Sequence, residues 1–290
     1  MSKDGGIALG SGLLAGFVTT VSLHPLDLIK TRFQVDETRG KGSLFNRGAG
    51  VLKEAYRVST ESGIRGLYRG LLPSVMGSSA SWGIYFMLYE SLKRTLEPNP
   101  GQRLTSMQYL LASAAAGGVT TCFTNPIWLV KTRMELQRPG QEPYRGVVDA
   151  FSKIVRTEGI AGLYKGIVPA LFLVSNGGVQ FMVYEELKIY FGGDSDMGAG
   201  QYMLLGAVSK CVASTLTYPT QVVKTRMQQH GSSYVSTLES LRTIVARQGV
   251  FGLYQGLIPN LLRVMPSSGL TFATYELCKK YLTGEVAERG

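Results

Sequence analysis

Long apolar runs alternate along this chain with shorter polar, basic stretches. Six runs, at residues 7–29, 73–92, 107–130, 168–187, 202–223 and 258–278, each supply the roughly 20 residues that a bilayer core requires. Three segments near 47–60, 146–157 and 235–247 are too polar to span and carry apolar positions at helical spacing, so they are expected to lie at the interface. Several spans hold serine, glutamine or lysine, which suits helices around a water-filled cavity better than helices wrapped only in lipid.

The pattern repeats. Pro25-Leu-Asp-Leu-Ile-Lys30-Thr-Arg32 returns as Pro126-Ile-Trp-Leu-Val-Lys131-Thr-Arg133 and Pro219-Thr-Gln-Val-Val-Lys224-Thr-Arg226. Gly63-Ile-Arg-Gly-Leu-Tyr68-Arg-Gly70 returns from Gly159 to Gly166 and from Gly249 to Gly256, with a proline three residues on at Pro73, Pro169 and Pro259. Tyr89-Glu90-Ser-Leu-Lys93 returns as Tyr184-Glu185-Glu-Leu-Lys188 and Tyr275-Glu276-Leu-Cys-Lys279. The same order of landmarks three times divides the chain into three repeats, 1–98, 99–194 and 195–290. Each reads as a helical hairpin: a span with an internal proline that bends it, a basic connector with an amphipathic helix, and a second span. The expectation is an all-α membrane protein of six transmembrane helices.

Composition agrees: 44% of residues are hydrophobic and only 17% charged, which shifts a chain of 290 residues toward the membrane class. A net charge of +10 invites a nucleic-acid reading, but the excess lies in connectors such as 39–65 and 145–165, with no basic stripe interleaved with aromatics. Such connectors fit a negatively charged surface or the positive-inside bias. Cys122, Cys211 and Cys278 fall within predicted helices and read as small apolar residues, with no metal role. His24 is replaced by Asn125 and Tyr218 in the other repeats, so no shared role is expected of it. The first sixteen residues show no targeting sequence, and any targeting information is expected to be internal. Gly12 and Gly16, four apart, are read as a helix-packing surface; the dinucleotide-binding fingerprint over Gly10–Ala15 lacks the preceding strand it needs.

The triplicated Pro-x-[Asp/Glu]-x-x-[Lys/Arg] segment, the glycine-bounded aromatic segment and the aromatic-acid-x-x-Lys ending together resemble the mitochondrial carrier family over nearly the whole chain. That resemblance implies pseudo-threefold symmetry around a central cavity, an inner-membrane location and alternating access between two salt-bridge networks. It implies a matrix gate built from Asp27, Lys30, Trp128, Lys131, Gln221 and Lys224, braced by Gln34 and Gln228, with Glu135 at the brace position of the second repeat. By the family's pairing rule as applied here, Asp27 faces Lys224, Gln221 faces Lys131 and Trp128 faces Lys30, leaving Lys30 and Lys131 without full acidic partners. It also implies a cytoplasmic gate of Tyr89, Glu90, Lys93, Tyr184, Glu185, Lys188, Tyr275, Glu276 and Lys279. The substrate-contact positions, twelve residues before the gate tyrosines, are Gly77, Phe172 with Leu173, and Arg263.

Pro-Ile-Trp in the second repeat is similar to the branch that carries large cofactors and nucleotides. Lys210, where the other repeats have Gly16 and Gly117, is similar to the flavin and folate carriers within it. Arg263 and Lys210 suit a pyrophosphate. Phe172, Trp82 and Tyr85 are available for stacking or for packing, and Asn176 and Gln180 for ring edges or an interhelical hydrogen bond. The expectation is a carrier of FAD, or a related flavin or folate, acting as a monomer with cardiolipin as lipid partner; FAD is then substrate, and no cofactor is required. NAD or pyrimidine-nucleotide transport is the alternative within the family, and a proton leak is the alternative outside substrate transport. A membrane enzyme would need a nucleophile, an acid–base pair or metal ligands converging on the cavity, and no such set emerges.

Overall fold

A computed structural model describes residues 3–37, 47–97, 104–137, 144–191, 198–234 and 236–283. Among them the chain is helical throughout, with no strand. The first repeat contributes α1 (Lys3–Val35), α2 (Arg47–Ser62) and α3 (Leu71–Leu96). The second contributes α4 (Ser106–Leu136), α5 (Val147–Gly162), α6 (Ile167–Phe172) and α7 (Ser175–Tyr190). The third contributes α8 (Ala199–Gln228), α9 (Thr237–Gln248) and α10 (Leu257–Thr283).

Five of the six expected spans lie inside single helices, and the fourth is divided between α6 and α7. Only the segment Ile167–Tyr190 is long and apolar enough to cross a membrane by length and composition alone among the described residues. The helices of the other five carry lysines, acids or arginines, and these polar positions dilute the apolar signal. Large apolar side chains cover the outside of the bundle: Phe17, Leu111, Phe123, Phe181 and Leu216 are all exposed. An apolar surface of this extent is what lipid contact requires.

The most extensive helix packing joins α3 to α4, α7 to α8 and α10 to α1. Each of these contacts links the second span of one repeat to the first span of the next, and so closes a ring. Pro25, Pro126 and Pro219 sit inside α1, α4 and α8. These three helices meet one another at the connector end.

Each connector helix buries its apolar stripe on the proline-bearing helix of its own repeat. Ile29 and Phe33 pack with Val51; Leu129 and Val130 with Ala150, Ile154 and Leu163; Val222, Val223 and Met227 with Ile244 and Leu253. Burying a side chain such as Ile154 or Ile244 contributes about 2 kcal/mol.

Two expectations are corrected here. Gly12 and Gly16 are exposed and nothing lies within 4 Å of where their Cβ atoms would be. The fully buried small residues are Ser11 and Ala15, so the four-residue spacing is right and the packing face is one position earlier. The fourth span is not continuous. Ser175 donates its hydroxyl back to the Phe172 carbonyl at 2.7 Å, competing with the helix ladder where Asn176, Gly177 and Gly178 follow as weak helix formers.

Candidate functional site

At the connector end the three repeats clasp one another by one repeated geometry. Arg32, Arg133 and Arg226 each donate Nε–H to the backbone carbonyl of the brace residue of the next repeat: Glu135 at 3.4 Å, Gln228 at 3.1 Å and Gln34 at 2.8 Å. Thr132 donates to Gln228 Oε1 at 3.0 Å and Thr225 to Gln34 Oε1 at 2.8 Å, in the same rotational sense. A left-handed glycine closes each junction. Cβ atoms on Gly70, Gly166 and Gly256 would lie 2.9, 3.1 and 3.2 Å from the Cγ of Glu135, Gln228 and Gln34, and their φ angles are 84°, 75° and 84°. Only glycine combines that backbone with that approach.

These threonines, arginines and glycines were legible as repeated residues, yet their partners lie about a hundred positions away and no local spacing indicates them. The residue before each proline shows the same effect. His24 Nε2 donates to the Arg69 carbonyl at 2.9 Å and its ring stacks over Tyr68. Asn125 donates to the Leu163 carbonyl at 2.9 Å, and Tyr218 stacks on Tyr254 while its hydroxyl accepts from Gln34 at 3.2 Å. All three are buried. The expectation that this position has no shared role is therefore wrong: three chemistries tie the same helix position to the same glycine-bounded segment.

The arginine clasps differ in charge. Arg133 makes a bidentate contact with Glu158 at 2.6 and 2.8 Å, and Lys165 reaches the same carboxylate at 2.8 Å. Arg133's hydrogen bonds, with that of Lys165, hold the Glu158 carboxyl down at about 2 against the opposing effect of burial. Arg226 instead donates to two neutral amides, Gln248 at 2.7 Å and Gln255 at 2.9 Å.

Further in, Asp27 pairs with Lys131, not with Lys224, and Lys131 also lies 3.3 Å from Glu135 one turn along its own helix. The expected direction of pairing is thus reversed, because the acid of one repeat meets the lysine of the next. Trp128 does not face Lys30. Its ring packs against Gly77, its Nε1–H donates to Ser81 at 3.3 Å, and the ammonium 5.5 Å from its centroid is that of Lys131. Lys30 and Lys224, rather than Lys30 and Lys131, make no ion pair among the described residues. Arg263 Nε lies 3.5 Å from Asp27, so the cation expected to hold substrate is engaged with the gate acid here.

These groups form the floor of a cavity of about 310 Å³ lined also by Gln221, Ser74, Ser78 and Leu173. Of the expected contact pair, Leu173 therefore lines the cavity, whereas Phe172 is 65% exposed and absent from its lining. Gly77 is buried against Ile127 and Trp128. Lys210 donates to Asn176 at 3.3 Å and to Gln180 at 3.0 Å, while Asn176 donates to Thr217 at 2.8 Å. Lys210 is near enough to Arg263 for their charges to interact. Trp82, Tyr85, Phe86 and Tyr89 form an aromatic cluster along α3, with Trp82 62% exposed.

At the opposite end no ion pair joins Glu90 or Glu185 to Lys93 among the described residues. The side chains of Tyr275, Glu276 and Lys279 lie outside those described. The bundle is closed where the proline helices meet.

The family profile described as "Mitochondrial carrier protein" matches residues 5–100, 102–195 and 195–286. The chain belongs to the mitochondrial carrier family. It is 40% identical to "Folate transporter 1, chloroplastic" of Arabidopsis thaliana, covering 94% of both chains. It is 36% identical to "Mitochondrial FAD carrier protein FLX1" of Saccharomyces cerevisiae, covering 94% of this chain and 96% of that one. It is also 36% identical to "Nicotinamide adenine dinucleotide transporter 2, mitochondrial" of Arabidopsis thaliana, covering 94% of this chain and 78% of the relative. Membership in this carrier family indicates a transporter rather than an enzyme.

Proposed function

We propose that this carrier moves FAD, or a related flavin or folate, across the mitochondrial inner membrane by alternating access. The observation that carries this reading is Lys210, held by the side-chain oxygens of Asn176 and Gln180 and near enough to Arg263 for their charges to interact. Two cations and two adjacent amides suit a phosphate-bearing or carboxylate-bearing aromatic substrate. The cluster from Trp82 to Tyr89 offers faces for a flavin or pterin ring, and Leu173 lines the cavity that holds Arg263. In this reading Asp27, Lys131, Glu135 and the Gln34 and Gln228 braces form the matrix gate, with Lys30, Trp128, Gln221 and Lys224 around it. Tyr89, Glu90, Lys93, Tyr184, Glu185, Lys188, Tyr275, Glu276 and Lys279 form the cytoplasmic gate.

Relatives named for folate, FAD and NAD support the substrate class and make NAD the second reading. Uptake by proteoliposomes decides between them, with FAD, FMN, riboflavin, tetrahydrofolate, NAD and UTP compared. FAD or folate uptake abolished by Arg263→Ala and by Lys210→Ala is the expected outcome. Selective NAD or UTP uptake overturns the flavin and folate assignment.

A further inference from the structure

The threefold pattern fails at one side chain. Where Gln34 and Gln228 brace their junctions, the second repeat has Glu135, fully buried; the hydroxyl nearest its carboxylate, that of Thr31, donates instead to the Asp27 carbonyl at 2.9 Å. The amides of Gln34 and Gln228 each donate from Nε2, to the Tyr218 hydroxyl and to the Lys165 carbonyl. An ionised carboxylate has no hydrogen to donate there. Its one ionic contact is Lys131, which Asp27 already holds, and Asp27 has Arg263 as well. Asp27 thus commands two cations and Glu135 a share of one.

His24 adds a third electron-pair donor. One of its ring nitrogens, an Asp27 oxygen and a Glu135 oxygen lie within 4.8 Å of one another. Its Nε2–H is committed to the Arg69 carbonyl, and its buried Nδ1 has no partner. The remaining groups facing Glu135 are accounted for element by element. From α1 come Lys30, Thr31 and Arg32, the last bonded to the Glu135 backbone; α4 supplies Lys131, α10 supplies Arg263, and α8 supplies Lys224. The segment before α3 presents Gly70 against the Glu135 Cγ. A divalent metal would meet the Lys131 ammonium and the nearby Arg263 guanidinium, whereas a proton neutralises the buried carboxylate and leaves an O–H that the free His24 Nδ1 can accept from.

We propose that Glu135 is a proton-binding site on the transport path, loaded while Asp27 holds Lys131 and emptied when that pair parts. His24, Asp27, Lys131 and Glu135 all line the cavity, so water in it can deliver the proton. On closure of the connector end, the proton passes from cavity water to a Glu135 oxygen. When α1 and α4 separate, Lys131 loses Asp27 and pairs with Glu135, one turn away on its own helix. The carboxylic acid then gives its proton to water on the newly opened side. Each conversion carries a proton, so transport of an anionic substrate is linked to the pH gradient. This rests on the alternating-access reading above.

Infrared pH-difference spectra of the purified protein in liposomes test the site without any substrate. A carboxylic acid carbonyl band that shifts in D₂O, titrates, and disappears in Glu135→Gln is the expected result; absence of a Glu135-dependent band overturns the proposal. The substitution installs the residue that the other two repeats carry, and thermal unfolding of the variant beside native protein checks its fold. Proteoliposomes loaded with pyranine and given FAD then report coupling. Native protein should acidify the lumen by one proton for each FAD taken up, and Glu135→Gln should lose that proton-to-substrate ratio. An unchanged ratio overturns the coupling. If native protein takes up no FAD, the substrate assignment fails while the infrared titration still decides the proton site.

Discussion

The two ends of the bundle invert what their residues promise. The end bearing Glu90, Glu185 and Glu276 with three lysines holds the fuller set of ion-pairing residues, with Lys188 engaged and the side chains of Glu276 and Lys279 outside those described. The connector end keeps one acid, Asp27, at the three positions where repeats usually carry one, and it is the end that is joined. Beside that pair its closure draws on shape and on hydrogen bonds outside ion pairs: glycines that let a loop backbone touch a brace, threonines on glutamine oxygens, and arginines on backbone carbonyls. Counting ion pairs is a poor guide to which gate is shut, because partial desolvation offsets much of their attraction.

The strongest way to break this comparison is to fill a glycine junction. Gly256→Val places a branched Cβ 2.9 Å from the Lys30 carbonyl in a left-handed backbone. Strain plus overpacking should cost about 3 kcal/mol or more and abolish transport, as read by thermal unfolding in detergent and by uptake. Near-native unfolding would show that packing at these junctions does not hold the closed end together.

Next come the two arginine clasps. Arg133→Met leaves the half-buried Glu158 with Lys165 but without its bidentate partner, at an expected cost of about 3–5 kcal/mol. Arg226→Met leaves only amides unmatched, at about 1–3 kcal/mol. Denaturant or thermal series on both variants rank them, and the opposite order would mean that charge adds nothing to the clasp.

The ionic clasp also carries a pH signature. A carboxyl held down at about 2 in the folded state contributes stability that is present above its ordinary value of 4.5 and is lost as pH falls toward 2. The stability gap between native protein and Glu158→Gln should therefore shrink between about pH 6 and about pH 3. A gap independent of pH would place the contribution of Glu158 in packing instead.

The smallest effect belongs to the open end. Glu90→Gln should change stability by less than about 0.5 kcal/mol, since the side chain is exposed and makes no ion pair among the described residues. Transport should slow nonetheless, because closing that end needs the acid. A stability loss as large as that of Arg226→Met would mean that both gates are engaged together.

Much of this molecule was legible in its order of residues. The three-part repeat, the six spans, the interfacial helices and the carrier landmarks all follow from local periodicity and motif spacing, which a linear chain displays directly. The direction of gate pairing was not, because Asp27 can reach Lys131 or Lys224 with equal chemical sense and only the handedness of the ring chooses. Nor was the shared duty of His24, Asn125 and Tyr218, since three unlike side chains meet their partners only after the segment near each second span folds back. The packing face of α1 was misjudged by one residue because Gly12 and Ser11 are both small, and only the neighbouring helix decides which points inward. Sequence determined the elements and their number, since these depend on contacts within a few turns. Tertiary structure decided which charges share a partner and which carboxylate is left short of one, because those depend on distances between residues a hundred or more positions apart.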